Sequence, residues 1–268
     1  MIPLKDNVPT ARFPIVTVLL ILANIAVFAY QVTLPTDRAS SPRFAQAGVS
    51  ESDEFSLEYG AIPGRLTHPG EECAVTIQAS RVVCGDAADD PGTVGLDGPP
   101  WWATVFTSMF LHGGLLHIGF NMLFLWIFGN NIEDSMGRRR YVLFYLLAGV
   151  AAGYAQAGVD PNATEPAIGA SGAIAGVMGG YLLLFPGASV LSLVIIIFFV
   201  TMVEVPAALW IAIWFALQFI PAIGQVATPD VAATGGGVAY WAHVGGFIFG
   251  LAAIKLFADR ARTLRGAY

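Results

Sequence analysis

The sequence predicts an all-α polytopic membrane protein, with six membrane-crossing helices and an extended extracytoplasmic loop between the first and the second. Three observations predict it. Hydrophobic residues make up 56% of the 268-residue chain and charged residues only 12%, against about 25% charged in soluble domains; the mean hydropathy is +0.66. Apolar tracts recur near the length that crosses a bilayer, about 17–25 residues. The basic residues gather where cytoplasmic ends should fall.

The tracts run in order. Residues 14–31 (PIVTVLLILANIAVFAYQ) form the first span, 111–129 the second, 141–157 the third, 170–185 the fourth and 239–257 the sixth. The tract 189–221 is interrupted by Glu204 and Pro206. Its first part, 190–203, is short, rich in β-branched residues, and reads as interfacial or re-entrant. Its second part, 206–221, opens on Pro206, which suits a first helical position, and reads as the fifth span. Glu204 just ahead of it is favourable on helix-dipole grounds and is given no catalytic role. Lys5 and Arg12 precede the first tract as they would in a signal peptide. No small-x-small cleavage site follows, so a retained anchor is expected.

Charge supports this count. With both termini cytoplasmic, Lys5, Arg12, Arg138, Arg139, Arg140, Lys255, Arg260, Arg262 and Arg265 all fall inside. The remaining four, Arg38, Arg43, Arg65 and Arg81, lie in the loop 32–100 with 11 acids, giving that loop a net charge of −7. Four regions result: the N-terminus and first span (1–31), an extracytoplasmic loop with an acidic insertion (32–110), a five-span core (111–257) and a basic cytoplasmic tail (258–268). Short termini without a transit-like leader point to a prokaryotic plasma membrane.

The loop 32–100 is polar and rich in Pro and Gly. Cys73 and Cys84 lie in it. Either they pair, with AVTIQASRVV between them folded as a small hairpin, or they are two thiols in a poorly ordered loop. Only His68 stands near, so the pair builds no metal site. Trp101, Trp102, Tyr240 and Trp241 fall where an outer aromatic belt should lie.

Three of the four histidines, His112, His117 and His243, fall at the outer ends of spans. Polar groups inside a bilayer are costly and usually have a role. His117 and Asn121 share a helix face at i and i+4. They serve either as interhelical glue, worth about 0.6 kcal/mol per contact, or as oxyanion donors, worth about 2.7–4 kcal/mol each in a transition state. Gly172, Gly176 and Gly180 recur every four residues in the fourth span, and Gly246 and Gly250 do so in the sixth. Such ridges let helices approach closely. If they meet, Ser171 and His243 stand at similar depth within hydrogen-bond reach. Ser171 is thus open to two readings, a small packing residue or a nucleophile.

GASG at 169–172, HGGLLHIGFN at 112–121 and AHVGGFIFG at 242–250 resemble the rhomboid intramembrane serine proteases. The resemblance covers about residues 100–257 and the first span, but not the long first loop. It implies a rhomboid-like six-helix bundle and a Ser-His dyad: Ser171 as nucleophile and His243 as general base, then acid. The Ser171 backbone N–H and the His117 and Asn121 side chains would form the oxyanion site. His112, Gly169, Gly172, Gly246 and Gly250 would support it. The implied partners are the lipid bilayer and transmembrane protein substrates, cut near their outer ends; no metal, cofactor or nucleic acid is expected. Two positions depart from the family pattern. Ala175 stands where an aromatic residue usually stacks on the catalytic histidine, leaving Tyr240 or Trp241 to orient the ring. Ala103 follows Trp102 where an arginine is usual. The fifth span and the Gly-rich stretch TPDVAATGGG (228–237) are either gating parts or ordinary connectors. Two rival readings are a proteolytically inactive relative that binds membrane clients, and a transporter with a histidine path. The retained Ser and His argue against the first. The absence of intramembrane acids or an inverted repeat argues against the second.

Overall fold

The computed structural model describes residues 2–196, 198–227 and 238–259. The stretch 228–237 and the tail arginines Arg260, Arg262 and Arg265 lie outside the described residues. Strand β1 (Ile2–Asp6) leads to α1 (Ile15–Gln31). The long loop holds α2 (Pro42–Gln46), α3 (Glu51–Tyr59), α4 (Pro63–Thr67), β2 (Cys73–Thr76), β3 (Val82–Cys84) and β4 (Thr93–Gly95). Then come α5 (Trp101–Thr107), α6 (Leu115–Met136), α7 (Arg138–Val159) and α8 (Ser171–Leu184). Strands β5 (Ser189–Ile196) and β6 (Phe199–Pro206), α9 (Ala207–Ala227) and α10 (Tyr240–Phe257) complete the order.

Among the described residues four helices are long and apolar enough to cross a membrane: α6, α7, α9 over Ala207–Gly224, and α10. Helices α1 and α8 are apolar but shorter, with 17 and 14 residues. At 1.5 Å per residue α8 is only about 21 Å long. It is also the central helix, with every residue from Gly172 to Tyr181 buried.

The chain is mostly helical, but the all-α expectation is corrected by two three-stranded sheets, ordered β1-β5-β6 and β3-β2-β4. The segment read as interfacial or re-entrant is an antiparallel hairpin, with Leu193 opposite Met202 and Ser189 opposite Pro206. Its Val- and Ile-rich composition suits a pleated surface, and β1 adds a third strand along β5. Pro206 therefore ends a strand instead of opening the fifth helix. Ala207 starts that helix, its N–H donating to Ala188 O at 2.8 Å.

Two boundaries also move. Helix α6 starts at Leu115, leaving His112 in the preceding loop, and runs on to Met136. Its polar end NNIED is tolerated because its side chains have partners. Buried Glu133 accepts from Val16 N (3.0 Å), Thr17 N (2.8 Å) and Thr17 Oγ1 (2.9 Å), supplying α1 with the N-terminal cap its own sequence lacks. Asn131 Nδ2 donates to Asp6, which also accepts from Tyr181 Oη at 2.6 Å. Gly137, at φ 80°, turns the chain directly into α7, so Arg138, Arg139 and Arg140 form a first helical turn and not a loop.

The loop 32–100 is a small folded unit. Ser50 and Asp53 cap α3 reciprocally. Cys73 and Cys84 face each other across the β2–β3 ladder and are bonded. Phe44, Val49, Ile62, Val75, Val94 and Leu96 close a separate core around them. The unit docks on the connector between α7 and α8. Ala61 and Ala167 exchange backbone hydrogen bonds, and Thr67 Oγ1 donates to Pro161 O at 2.6 Å.

Candidate active site

Ser171 opens α8, so its backbone N–H belongs to the first turn, where no carbonyl four residues earlier is helical. The preceding Gly169 has φ 121°, a conformation that favours glycine. A Cβ there would come within 2.8 Å of His117 Nε2 and 3.6 Å of Ser171 Oγ. The N–H of Gly169 donates to Ser108 O at 2.8 Å, pinning the turn.

The glycine ridges of α8 and α10 meet. A Cβ on Gly246 would strike Gly172 O, and one on Gly250 would strike Gly176 O. A Cβ on Gly172 would lie 2.5 Å from Ala152 Cβ of α7, and one on Gly176 2.6 Å from Ala148 Cβ. At these glycines α8 packs against both α7 and α10 with no room for a side chain. At the head of this seam Ser171 Oγ–H lies 2.7 Å from His243 Nε2. His243 is buried, and its Nδ1 lies 2.8 Å from Gln218 Oε1 of α9.

His117 lies in the first turn of α6. Its Nδ1 faces the N–H of Gly113 at 3.3 Å. An Nδ1 that accepts leaves the ring proton on Nε2, the nitrogen beside Gly169. Asn121 is buried on the same face, and its Nδ2 donates to His117 O at 3.0 Å, leaving one further N–H. His112 stacks edge-on against His117, ring centroids 5.0 Å apart. Its backbone N–H donates to Gln31 Oε1 of α1 at 3.0 Å. Ser171 of α8 and His243 of α10 therefore meet, with His117 of α6 beside Gly169 and Asn121 one turn further along α6.

Ala175 is fully buried. The aromatic neighbour of His243 comes from elsewhere: Trp214 of α9, centroid 5.8 Å away and tilted 43°. Tyr240 is edge-on at 6.5 Å. Trp241 turns away, donating its indole N–H to Ala222 O of α9 at 2.9 Å. Gln156 of α7 accepts from Ala242 N at 3.3 Å. Sequence reasoning missed Gln218, Trp214, Gln156 and Gln31. The one signal for the glutamines is that each is an amide in a largely apolar helix, where a polar side chain needs a partner.

Among the described residues no three His, Cys, Asp or Glu side chains gather as a metal set. A cavity of about 440 Å³ opens at the opposite end of the bundle, lined by Arg12, Glu133, Asp134, Arg138, Arg139 and Arg140 among others. Its lining contains no serine, cysteine or histidine.

The model of the rhomboid domain matches residues 99–260, well over half the chain. The chain belongs to the rhomboid family. It is 40% identical over 82 residues to rhomboid protease GluP of Bacillus subtilis, covering 31% of this chain and 15% of that one. To mitochondrial rhomboid protein 1 of Saccharomyces cerevisiae it is 30% identical over 152 residues, 55% of this chain and 40% of the relative. To rhomboid-type serine protease 2 of Emericella nidulans it is 36% identical over 85 residues, 32% and 17%. This rhomboid thus spans less than half the length of each of these relatives. They include a mitochondrial protein, so family membership fixes a membrane but not which one.

Proposed function

We propose that this rhomboid is an intramembrane serine endopeptidase that cuts transmembrane segments of other proteins near the extracytoplasmic face. The observation that carries the reading is the 2.7 Å contact between Ser171 Oγ and His243 Nε2, two groups from different helices at the head of a glycine seam. The names of two relatives, a rhomboid protease and a rhomboid-type serine protease, agree with it.

In this reading six helices cross the membrane: α1, α6, α7, α8, α9 and α10. Both termini are cytoplasmic, and the disulfide-bonded unit lies on the far side. His243 Nε2 takes the Ser171 proton as Oγ attacks the scissile carbonyl. The carbonyl becomes an oxyanion, which the Ser171 N–H, His117 Nε2–H and the free N–H of Asn121 stabilise. Protonated His243 then delivers its proton to the leaving amine, and water, activated by the same imidazole, releases the acyl-enzyme. A substrate helix hides its carbonyls in hydrogen bonds, so it must unwind locally to react. Water reaches the site because Ser171 and His243 each stand in the first turn of their helix.

The test is cleavage of a single-span substrate in proteoliposomes. Ser171→Ala and His243→Ala should each lower kcat by at least about a thousandfold while thermal unfolding stays near wild type. Normal cleavage by Ser171→Ala overturns the assignment. Accessibility of tags on the two termini checks the orientation.

A further inference from the structure

A Ser-His dyad needs a histidine held in one tautomer. For Ser171 to donate its proton, His243 Nε2 must be unprotonated, so the neutral ring must carry its proton on Nδ1. In serine hydrolases with a third member, a carboxylate accepts that N–H and fixes the tautomer. No carboxylate contacts His243 among the described residues. What does contact it is the side-chain amide of Gln218, with Oε1 2.8 Å from Nδ1.

We propose that Gln218 is a positioning residue that holds His243 in the tautomer able to accept the Ser171 proton. The inference rests on the serine-protease reading. An amide oxygen accepts from Nδ1–H and fixes ring rotation as a carboxylate does. Being neutral, it does not add a buried negative charge in an apolar bundle, where one is expensive. The opposite orientation of the amide would donate to Nδ1, move the ring proton to Nε2 and point it at Ser171, the wrong direction for a base.

Gln218 is itself held in place. Trp214 lies one turn before it on the same face of α9, with its ring beside His243. Ala222 lies one turn after it and accepts the Trp241 indole N–H. Three successive turns of α9 therefore engage the first turn of α10, with Gln218 in the middle. Its reach to Nδ1 is set by contacts that neither Ser171 nor the oxyanion donors make.

The experiment uses the full chain, labelled with ¹⁵N-histidine, in lipid nanodiscs. Four histidines are few enough to resolve, and His243→Ala identifies the relevant signal. In the wild type the His243 signal should show the Nδ1–H tautomer. Gln218→Leu, which keeps size but removes the acceptor, should shift it toward Nε2–H. It should also lower kcat about 10- to 100-fold, the range typical of a partner that orients a functional histidine, with KM and thermal unfolding unchanged. Gln218→Glu keeps an acceptor oxygen at the same reach and should retain kcat within about threefold. A wild-type Nε2–H signal overturns the proposal. So does a Gln218→Leu variant with unchanged tautomer and kcat, or one whose defect lies in KM alone. Ser171→Ala separates the two readings: if it still cleaves, the protease reading fails, while the tautomer measurement continues to report on Gln218.

Discussion

The two nitrogens of His243 face two unlike helices. Nε2 meets α8, buried from Gly172 to Tyr181 and pressed against α10 so closely that backbone touches backbone. Nδ1 meets α9, whose Leu209, Ile213, Leu217, Phe219, Ile220 and Ile223 are all exposed. Pro221 sits within α9 and cannot donate to the Leu217 carbonyl. Contact between backbones has one solution, because no side chain can rotate to relieve an error. Contact through Trp214 and Gln218 depends on rotamers and on a helix with one missing bond. The separation between Ser171 and His243 is therefore set by rigid packing, and the ring's orientation by an adaptable neighbour. Substitutions on the α8 side should act on folding, and those on the α9 side on rate.

The largest effect is expected in the seam. Gly246→Val places a branched side chain against Gly172 O, and only separation of α8 from α10 relieves the overlap. Overpacking a core typically costs about 1–3 kcal/mol and more where the neighbour cannot move. The variant should lose several degrees or more in thermal unfolding, and cleavage should fall to background. Gly158→Ala on α7, where a Cβ meets nothing within 4 Å, should leave both unchanged. Equal stability in Gly246→Val would show that the seam is looser than its geometry.

A smaller effect, of the opposite kind, is expected on α9. Trp214→Leu removes the ring beside His243 but no buried backbone contact. Aromatic pairs contribute about 0.5–1.5 kcal/mol beyond burial, so kcat/KM should fall about two- to twelvefold. Trp214→Phe should recover much of it, with unfolding unchanged in both. A stability loss matching that of the seam variant would erase the distinction between the two helices.

The same contrast explains what could be read from the sequence. Ser171, His243, His117 and Asn121 stand in fixed local patterns, because a helix turn or a glycine ridge dictates their spacing. The glycine periods likewise showed which helices could approach closely. Gln218, Trp214 and Gln31 have no such spacing. Gln218 and Trp214 belong to α9 and act on His243 of α10, while Gln31 of α1 acts on His112 in the loop before α6, 25 residues on for Gln218 and 81 for Gln31, so only the packed bundle relates them. Tyr240 and Trp241 were reasonable candidates to orient His243 by proximity in sequence. Helix geometry instead puts Tyr240 edge-on and sends Trp241 to Ala222, leaving the ring to Trp214. The hairpin 189–206 was legible as something other than a span, from its β-branched residues. Its pairing with β1 was not, because strand partners almost 190 residues apart leave no local mark.

The smallest expected effect lies at the far end of the bundle and tests whether the base of α9 is tied down independently of the site. Asp6 anchors β1 through Tyr181 of α8 and Asn131 of α6. β1 in turn flanks the hairpin that leads into α9. Burial raises the Asp6 carboxyl to about 6, with the Tyr181 hydrogen bond opposing the shift. A carboxyl raised in the folded state binds its proton more tightly there than in the unfolded chain. Its contribution to stability is thus fully present below about pH 4 and declines as pH rises toward 6. Asp6→Asn keeps an acceptor for Tyr181 and removes the charge. Its unfolding temperature should lose the decline between about pH 4 and pH 6 that Asp6 imposes on the wild type, while cleavage at pH 7 stays within about twofold. An unchanged pH profile would show that Asp6 is not the group responsible. A large loss of cleavage would show that the sheet, and not only the Trp214–Gln218 stripe, governs how α9 meets His243.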